Sequence, residues 1–130
     1  MTPADLRHSG MHLIADLHGI AGEKLCDADA IAALLRAAAQ AAGATIVYSH
    51  FHGFGPGQGI TGVVLLAESH ISIHTWPELG FAALDIFMCG HAQPHRALAV
   101  IEAALAPDSR TIQELPRGYA VAPLSTREKS

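Results

Sequence analysis

Between residues 60 and 89 the chain leaves no room for a helix. Three runs rich in β-branched and apolar residues (60–67, 69–75 and 81–89) follow one another, separated first by a single position and then by a turn at Pro77–Gly80. Strands joined this tightly run antiparallel, because a parallel return needs a crossover of a dozen or more residues. This stretch commits the chain to an antiparallel sheet. A fourth run, "TIVYSHFH" (45–52), leads into it through "GFGPGQG" (53–59), whose four glycines and one proline make a loop. A phosphate cradle is disfavoured there, since such a loop needs a helix behind it and "ITGVVLLA" is a strand.

The flanking segments change period. "MHLIADLHGI" (11–20) alternates Met11, Leu13, Ala15 and Leu17 on one side, as a strand does. "DADAIAALLRAAAQAAGAT" (27–45) reads as a helix with Asp27 or Asp29 as its cap. Ile31, Leu34, Leu35 and Ala38 form its apolar stripe, Arg36 and Gln40 its wet face, and Gly43 its end. A second helix is expected over 93–105, with Leu98, Ile101 and Leu105 on one face and a stop at Pro107. "TIQEL" (111–115) reads as a last short strand, and 120–130 as a loose tail. The order β-α-β-β-β-β-α-β predicts one α+β domain over residues 1–130: a mainly antiparallel sheet with two helices on one face. Half the residues are hydrophobic and only 15% charged, so the uncovered face needs a partner, and dimerisation through it is the expectation.

Composition also excludes partners. The net charge is −4 and the eight Lys and Arg residues are not clustered, which argues against nucleic acid. The longest apolar run, "GVVLLA", falls far short of the roughly 20 residues a membrane helix needs. The N-terminus "MTPADLRHSG" lacks the pattern of a signal peptide, and Cys26 and Cys89 are expected as free thiols, so a cytoplasmic location is expected.

Nine histidines are the compositional outlier. Alternation places His70, Ser72 and His74 on one side of their strand and Ser69, Ile71 and Ile73 on the other, while His50 and His52 share a face of theirs. If those faces coincide, four imidazoles converge as a metal site; otherwise they are side chains bonded to backbone or water. Ser69 with His74 offers a nucleophile and its base, although a regular strand points them to opposite sides. Thr61 adds a hydroxyl on the neighbouring strand, or is simply a good β-former. Cys89, at a strand end before Gly90, suits acid–base or nucleophilic work better than Cys26, which reads as structural. Phe54 in the glycine-rich loop either docks on a core edge or stacks on a flat ligand. Glu78, placed by Pro77, is a solvated turn residue or an acceptor for ligand hydroxyls.

Taken together, "GMHLIADL", "GATIVYSHFHGF" and above all "TGVVLLAESHISIHTWPELGFAALDIFMCG" resemble the short, prokaryotic-type S-adenosylmethionine decarboxylase proenzymes, over roughly residues 10–118. The resemblance implies that the Glu68–Ser69 bond breaks without a protease. The Ser69 hydroxyl attacks the Glu68 carbonyl, and elimination and hydrolysis leave a covalently bound pyruvoyl group at the head of the C-terminal chain. The products are a 1–68 β chain and a 69–130 α chain. His74 matches the acid–base residue of processing, and Thr61 falls where the family commonly has an assisting Ser. Cys89 matches the proton donor to the substrate α-carbon, Phe54 the residue stacking on adenine, and Glu78 the one holding the ribose hydroxyls. The pyruvoyl carbonyl forms a Schiff base with the substrate amine and takes the electrons as CO₂ leaves, with no metal expected. The implied product is the aminopropyl donor for spermidine synthesis. The implied assembly is a dimer, an α/β/β/α sandwich with active sites at the interface. The alternatives are a pyruvoyl-dependent arginine or ornithine decarboxylase on the same fold, an unprocessed partner subunit, and a His-rich metal-binding module.

Overall fold

The computed structural model describes residues 9–67 and 69–118. Its strands are β1 (Gly10–His18), β2 (Ile46–Gly53), β3 (Ile60–Leu66), β4 (Ser69–Trp76), β5 (Phe81–Cys89) and β6 (Ser109–Arg117). Its helices are α1 (Ala28–Ala41) and α2 (Pro94–Leu105), with single 3₁₀ turns at Gly22–Leu25 and Pro77–Leu79. Pairing follows connection length. β2 to β5 form a meander, each strand antiparallel to the next. The two long returns carry the helices, giving the order β2-β3-β4-β5-β1-β6 with β1 antiparallel to both its neighbours. This is the α+β architecture expected.

The boundaries differ in ways the pairing explains. β1 ends at His18 rather than Ile20, because Gly19 turns the chain with φ of 73°. Ile20 N–H then donates to the Gly80 carbonyl at 2.9 Å. β6 outruns "TIQEL" because β1 offers it partners from Gly10↔Arg117 to His18↔Ser109. In β2 the register shifts between Ile46 and Tyr48, a bulge that leaves Val47 without a partner in the ladder.

One face of the sheet is the core. Leu13 and Leu17 of β1, Ile71 and Ile73 of β4, and Leu84 and Ile86 of β5 are fully buried beneath α1 and α2. Each such side chain contributes roughly 1.5–3 kcal/mol of transfer free energy. α1 presents Ile31, Ala32, Leu35, Ala38 and Ala39 to this layer, with Leu34 only partly buried. Its alanines have no bulk to hold α2 off, and the two helices pack against each other. Asp27 is the cap, its Oδ1 accepting from Ala30 N–H at 3.1 Å. α2 opens on Pro94 and buries Ala97, Leu98, Ile101 and Leu105.

Thr75 is the buried polar residue among those described. Its hydroxyl donates to the Leu25 carbonyl at 2.7 Å and accepts from Ile60 N–H at 2.9 Å. One side chain thereby ties the start of β3 to the 3₁₀ turn before α1.

The opposite face carries no helix. Its residues come from the alternate positions: His12, Asp16 and His18; Tyr48, His50 and His52; His70, Ser72, His74 and Trp76; Asp85, Phe87 and Cys89. Tyr48, Leu65, Trp76 and Leu115, all on this side, are among the exposed large hydrophobics.

Candidate active site

Chemistry-bearing residues gather at two ends of the sheet. At the first end β3 begins and β4 finishes, and Thr61 pairs directly with His74. The Thr61 hydroxyl lies 3.1 Å from His74 Nδ1. Around this pair is a cleft of about 330 Å³, lined among others by Phe54, Gln58, Trp76 and Glu78. Two turns shape it. The glycine-rich loop closes through Phe54 N–H to the Gly59 carbonyl at 3.1 Å. Gly55 and Gly57 take φ of 131° and 73°, which only glycine adopts cheaply. This leaves Phe54 exposed, its ring edge-on to His52 at 4.6 Å. Glu78 sits in the turn Pro77–Leu79, which Gly80 ends in the left-handed region with φ of 62°. Trp76 stacks on Phe81 at 5.1 Å, and Phe81 on His18 at 5.0 Å.

At the second end β4 begins and β5 finishes. Ser69 is the first residue of β4, its hydroxyl 3.5 Å from the Ala67 carbonyl oxygen. Glu68, the other half of the expected cleavage site, lies outside the described residues, as do 120–130. Cys89 ends β5 opposite Gly10. His70 pairs with Phe87, which places Ser69 and Cys89 at the same end of adjacent strands.

The pairing from Ser69 to Trp76 is regular, with no bulge. Ser69 and His74 therefore point to opposite faces, as alternation requires, and sit about 16 Å apart along the strand at roughly 3.3 Å per residue. His50, His52, His70 and His74 do share the open face. They do not converge: β3 separates the two pairs, and no group of three or more His, Cys, Asp or Glu able to hold a metal ion occurs among the described residues. His91 and His95 are exposed, and His95 pairs with Glu114 at 3.2 Å.

Sequence reasoning missed His12 and Asp85, whose side chains meet at 2.9 Å across β1 and β5. A signal was present: Asp85 is a charge in the middle of the apolar run "AALDIFMC".

The family model for S-adenosylmethionine decarboxylase matches residues 11–118. The chain belongs to this family. Among its relatives in the family, the S-adenosylmethionine decarboxylase proenzyme of Methanococcus maripaludis is 44% identical over 114 residues, covering 87% of this chain and 93% of that one. The proenzyme of a Sulfurihydrogenibium species is 52% identical over 81 residues, covering 62% and 60%. The crystal structure of the adenosylmethionine decarboxylase from Aquifex aeolicus shares 38% identity and a TM-score of 0.79, covering 93% of this chain and 98% of that chain. This is an enzyme family, and no comparison favours the metal-binding or amino-acid decarboxylase alternatives. No helix among the described residues is long and apolar enough to cross a membrane.

Proposed function

We propose that the chain is a self-processing, pyruvoyl-dependent decarboxylase of S-adenosylmethionine, releasing CO₂ and S-adenosyl 3-(methylthio)propylamine, the aminopropyl donor for spermidine synthesis. The observation that carries this reading is the division of the sheet into two complementary ends, set in a family of decarboxylase proenzymes. One end has the cleavable Ser69 with Cys89; the other has the hydroxyl–imidazole pair of Thr61 and His74 beside an aromatic and a carboxylate. The pyruvoyl group derived from Ser69 suits the end it shares with Cys89, since it would sit at the head of β4 beside the end of β5. When present, it supplies the electron sink that lets carboxylate carbon leave as CO₂.

The protein's own residues do the rest. During processing His74, oriented by Thr61, exchanges the proton of the Ser69 step. Cutting at Glu68–Ser69 divides the 130 residues into chains of 68 and 62. It also frees the head of β4 to turn toward the open face. In turnover Cys89 returns a proton to the substrate α-carbon, Phe54 stacks on the adenine, and Glu78 accepts from the ribose hydroxyls.

These roles require a dimer. His74 cannot reach the Ser69 of its own chain across about 16 Å of regular strand. A second copy laid face to face and reversed by a two-fold axis sets the Thr61 and His74 end of each chain against the Ser69 and Cys89 end of the other. The exposed hydrophobics of this face support the same packing, an α/β/β/α sandwich. A cytoplasmic location belongs to this reading, supported by Cys26 and Cys89 not being joined in a disulfide.

Intact-mass analysis tests the proposal. The native chain should give two fragments, the heavier ending at Glu68, and Ser69→Ala a single uncut chain. CO₂ release from carboxyl-labelled S-adenosylmethionine should far exceed release from arginine or ornithine. A native chain that stays whole, or the reverse substrate order, would sink the reading.

A further inference from the structure

We infer that His12 is a positioning residue for the Ser69 and Cys89 end of the site, oriented for that task by Asp85; the inference rests on the decarboxylase reading above. His12 projects from β1 onto the open face with its side chain 18% exposed, and its Nε2 lies 2.9 Å from Asp85 Oδ1. An ionised carboxylate can only accept, so Nε2 carries the proton and the ring orientation is fixed. The ring meets His70 at 6.4 Å and Phe87 at 5.9 Å, both edge-on, and His70 meets Phe87 at 5.9 Å. The three rings close a triangle across β1, β5 and β4. Arg117 covers Phe87 from the β6 side, 5.5 Å from the ring centroid.

Both reactive residues hang from this triangle. His70 is bonded directly to Ser69, and is the residue that would carry the pyruvoyl group after cleavage. Phe87 is two positions before Cys89 on the same face of β5. Gly10, opposite Cys89, is part of the same packing: a Cβ there would lie 2.9 Å from the Phe87 ring and 3.2 Å from Cys89 Sγ. Turning His12 therefore shifts the supports of Ser69 and Cys89 together. Simple packing would not need Asp85, a carboxylate whose side chain remains 40% exposed on the open face. None of the roles assigned above uses either residue.

The test uses the full-length chain and reads two rates, self-cleavage by intact mass and CO₂ release from S-adenosylmethionine. His12→Ala should slow both by about 10- to 100-fold, the scale of misplacing reacting groups by an ångström. KM should move less than about threefold, because substrate is held at the other end of the face. Asp85→Leu should reproduce the loss, Asp85→Asn, which keeps an acceptor oxygen, should recover much of it, and the His12→Ala, Asp85→Leu double variant should be no worse than either alone. His12→Ala acting at the native rate, or Asp85→Asn as damaging as Asp85→Leu, would overturn the inference. Should His12→Ala not fold, His12→Phe keeps the ring packing without the Asp85 bond, and native rates there would overturn it equally. A native chain that neither cuts nor releases CO₂ would remove the decarboxylase reading, and this inference with it. An active native chain with unaffected His12 variants would remove this inference alone.

Discussion

Ile73 and His74 are neighbours in the chain and opposites in the molecule. Ile73 faces the helices with no exposed surface, packed in the core. His74 faces the open side, exposed, with its Nδ1 3.1 Å from the Thr61 hydroxyl. The same contrast repeats along β4, where Ile71 adjoins His70, and along β5, where Ile86 adjoins Asp85 and Phe87. One face of the sheet holds the fold together and the other bears the chemistry. The difference teaches that strand period alone can write two separate specifications into one segment. It also means that either specification can be broken without the other.

The sharpest break separates the two ends of the sheet between chains. Ser69→Ala cannot be cut, and His74→Ala should not cut itself. Co-refolded, the pair should yield cleavage of the His74→Ala chain, because its Ser69 now meets the His74 of its partner. Mass spectrometry should then show fragments that neither variant gives alone. A His74→Ala chain that stays whole in every mixture would mean that the two ends never meet across a dimer.

A second break compares the two faces directly. Ile73→Ala should cost about 2–5 kcal/mol of stability, the range for emptying a filled core site. The fraction that remains folded should still process, because nothing on the open face has changed. His74→Ala should cost far less stability than Ile73→Ala, because it empties no filled core site, while abolishing cleavage. Calorimetry with intact-mass analysis reads both at once. Equal destabilisation by the two would erase the division of labour.

This division explains what could be read ahead of the fold. Strand alternation and the short links after Leu66 and Trp76 are local, so the meander and the placing of Ile71 and Ile73 on the side opposite His70 and His74 followed from the sequence alone. The opposed directions of Ser69 and His74 followed from the same period. What stayed hidden was how far apart groups lie once strands pair. The four histidines 50, 52, 70 and 74 share a face, but β3 keeps the pairs apart, so the imagined metal cluster does not gather. His12 and Asp85 are 73 residues apart in sequence, and they meet only because α1 carries the chain away and the meander returns β5 to β1. Register across such distances is not written in any local pattern.

The smallest break falls between the two faces, at Thr75. It points into the core, yet its hydroxyl serves the open side by anchoring Ile60, the residue next to Thr61. Thr75→Val keeps the shape and removes both hydrogen bonds, leaving the Ile60 N–H and the Leu25 carbonyl without that partner. An unsatisfied buried group costs about 1–3 kcal/mol, so the expected loss of stability is of that order. Because the start of β3 also sets Thr61 against His74, processing should slow as well, by a smaller factor than in His74→Ala. If Thr75→Val lost stability with no change in the cleavage rate, the Thr61–His74 geometry would have to be held by strand pairing alone. The boundary between the two faces would then be complete.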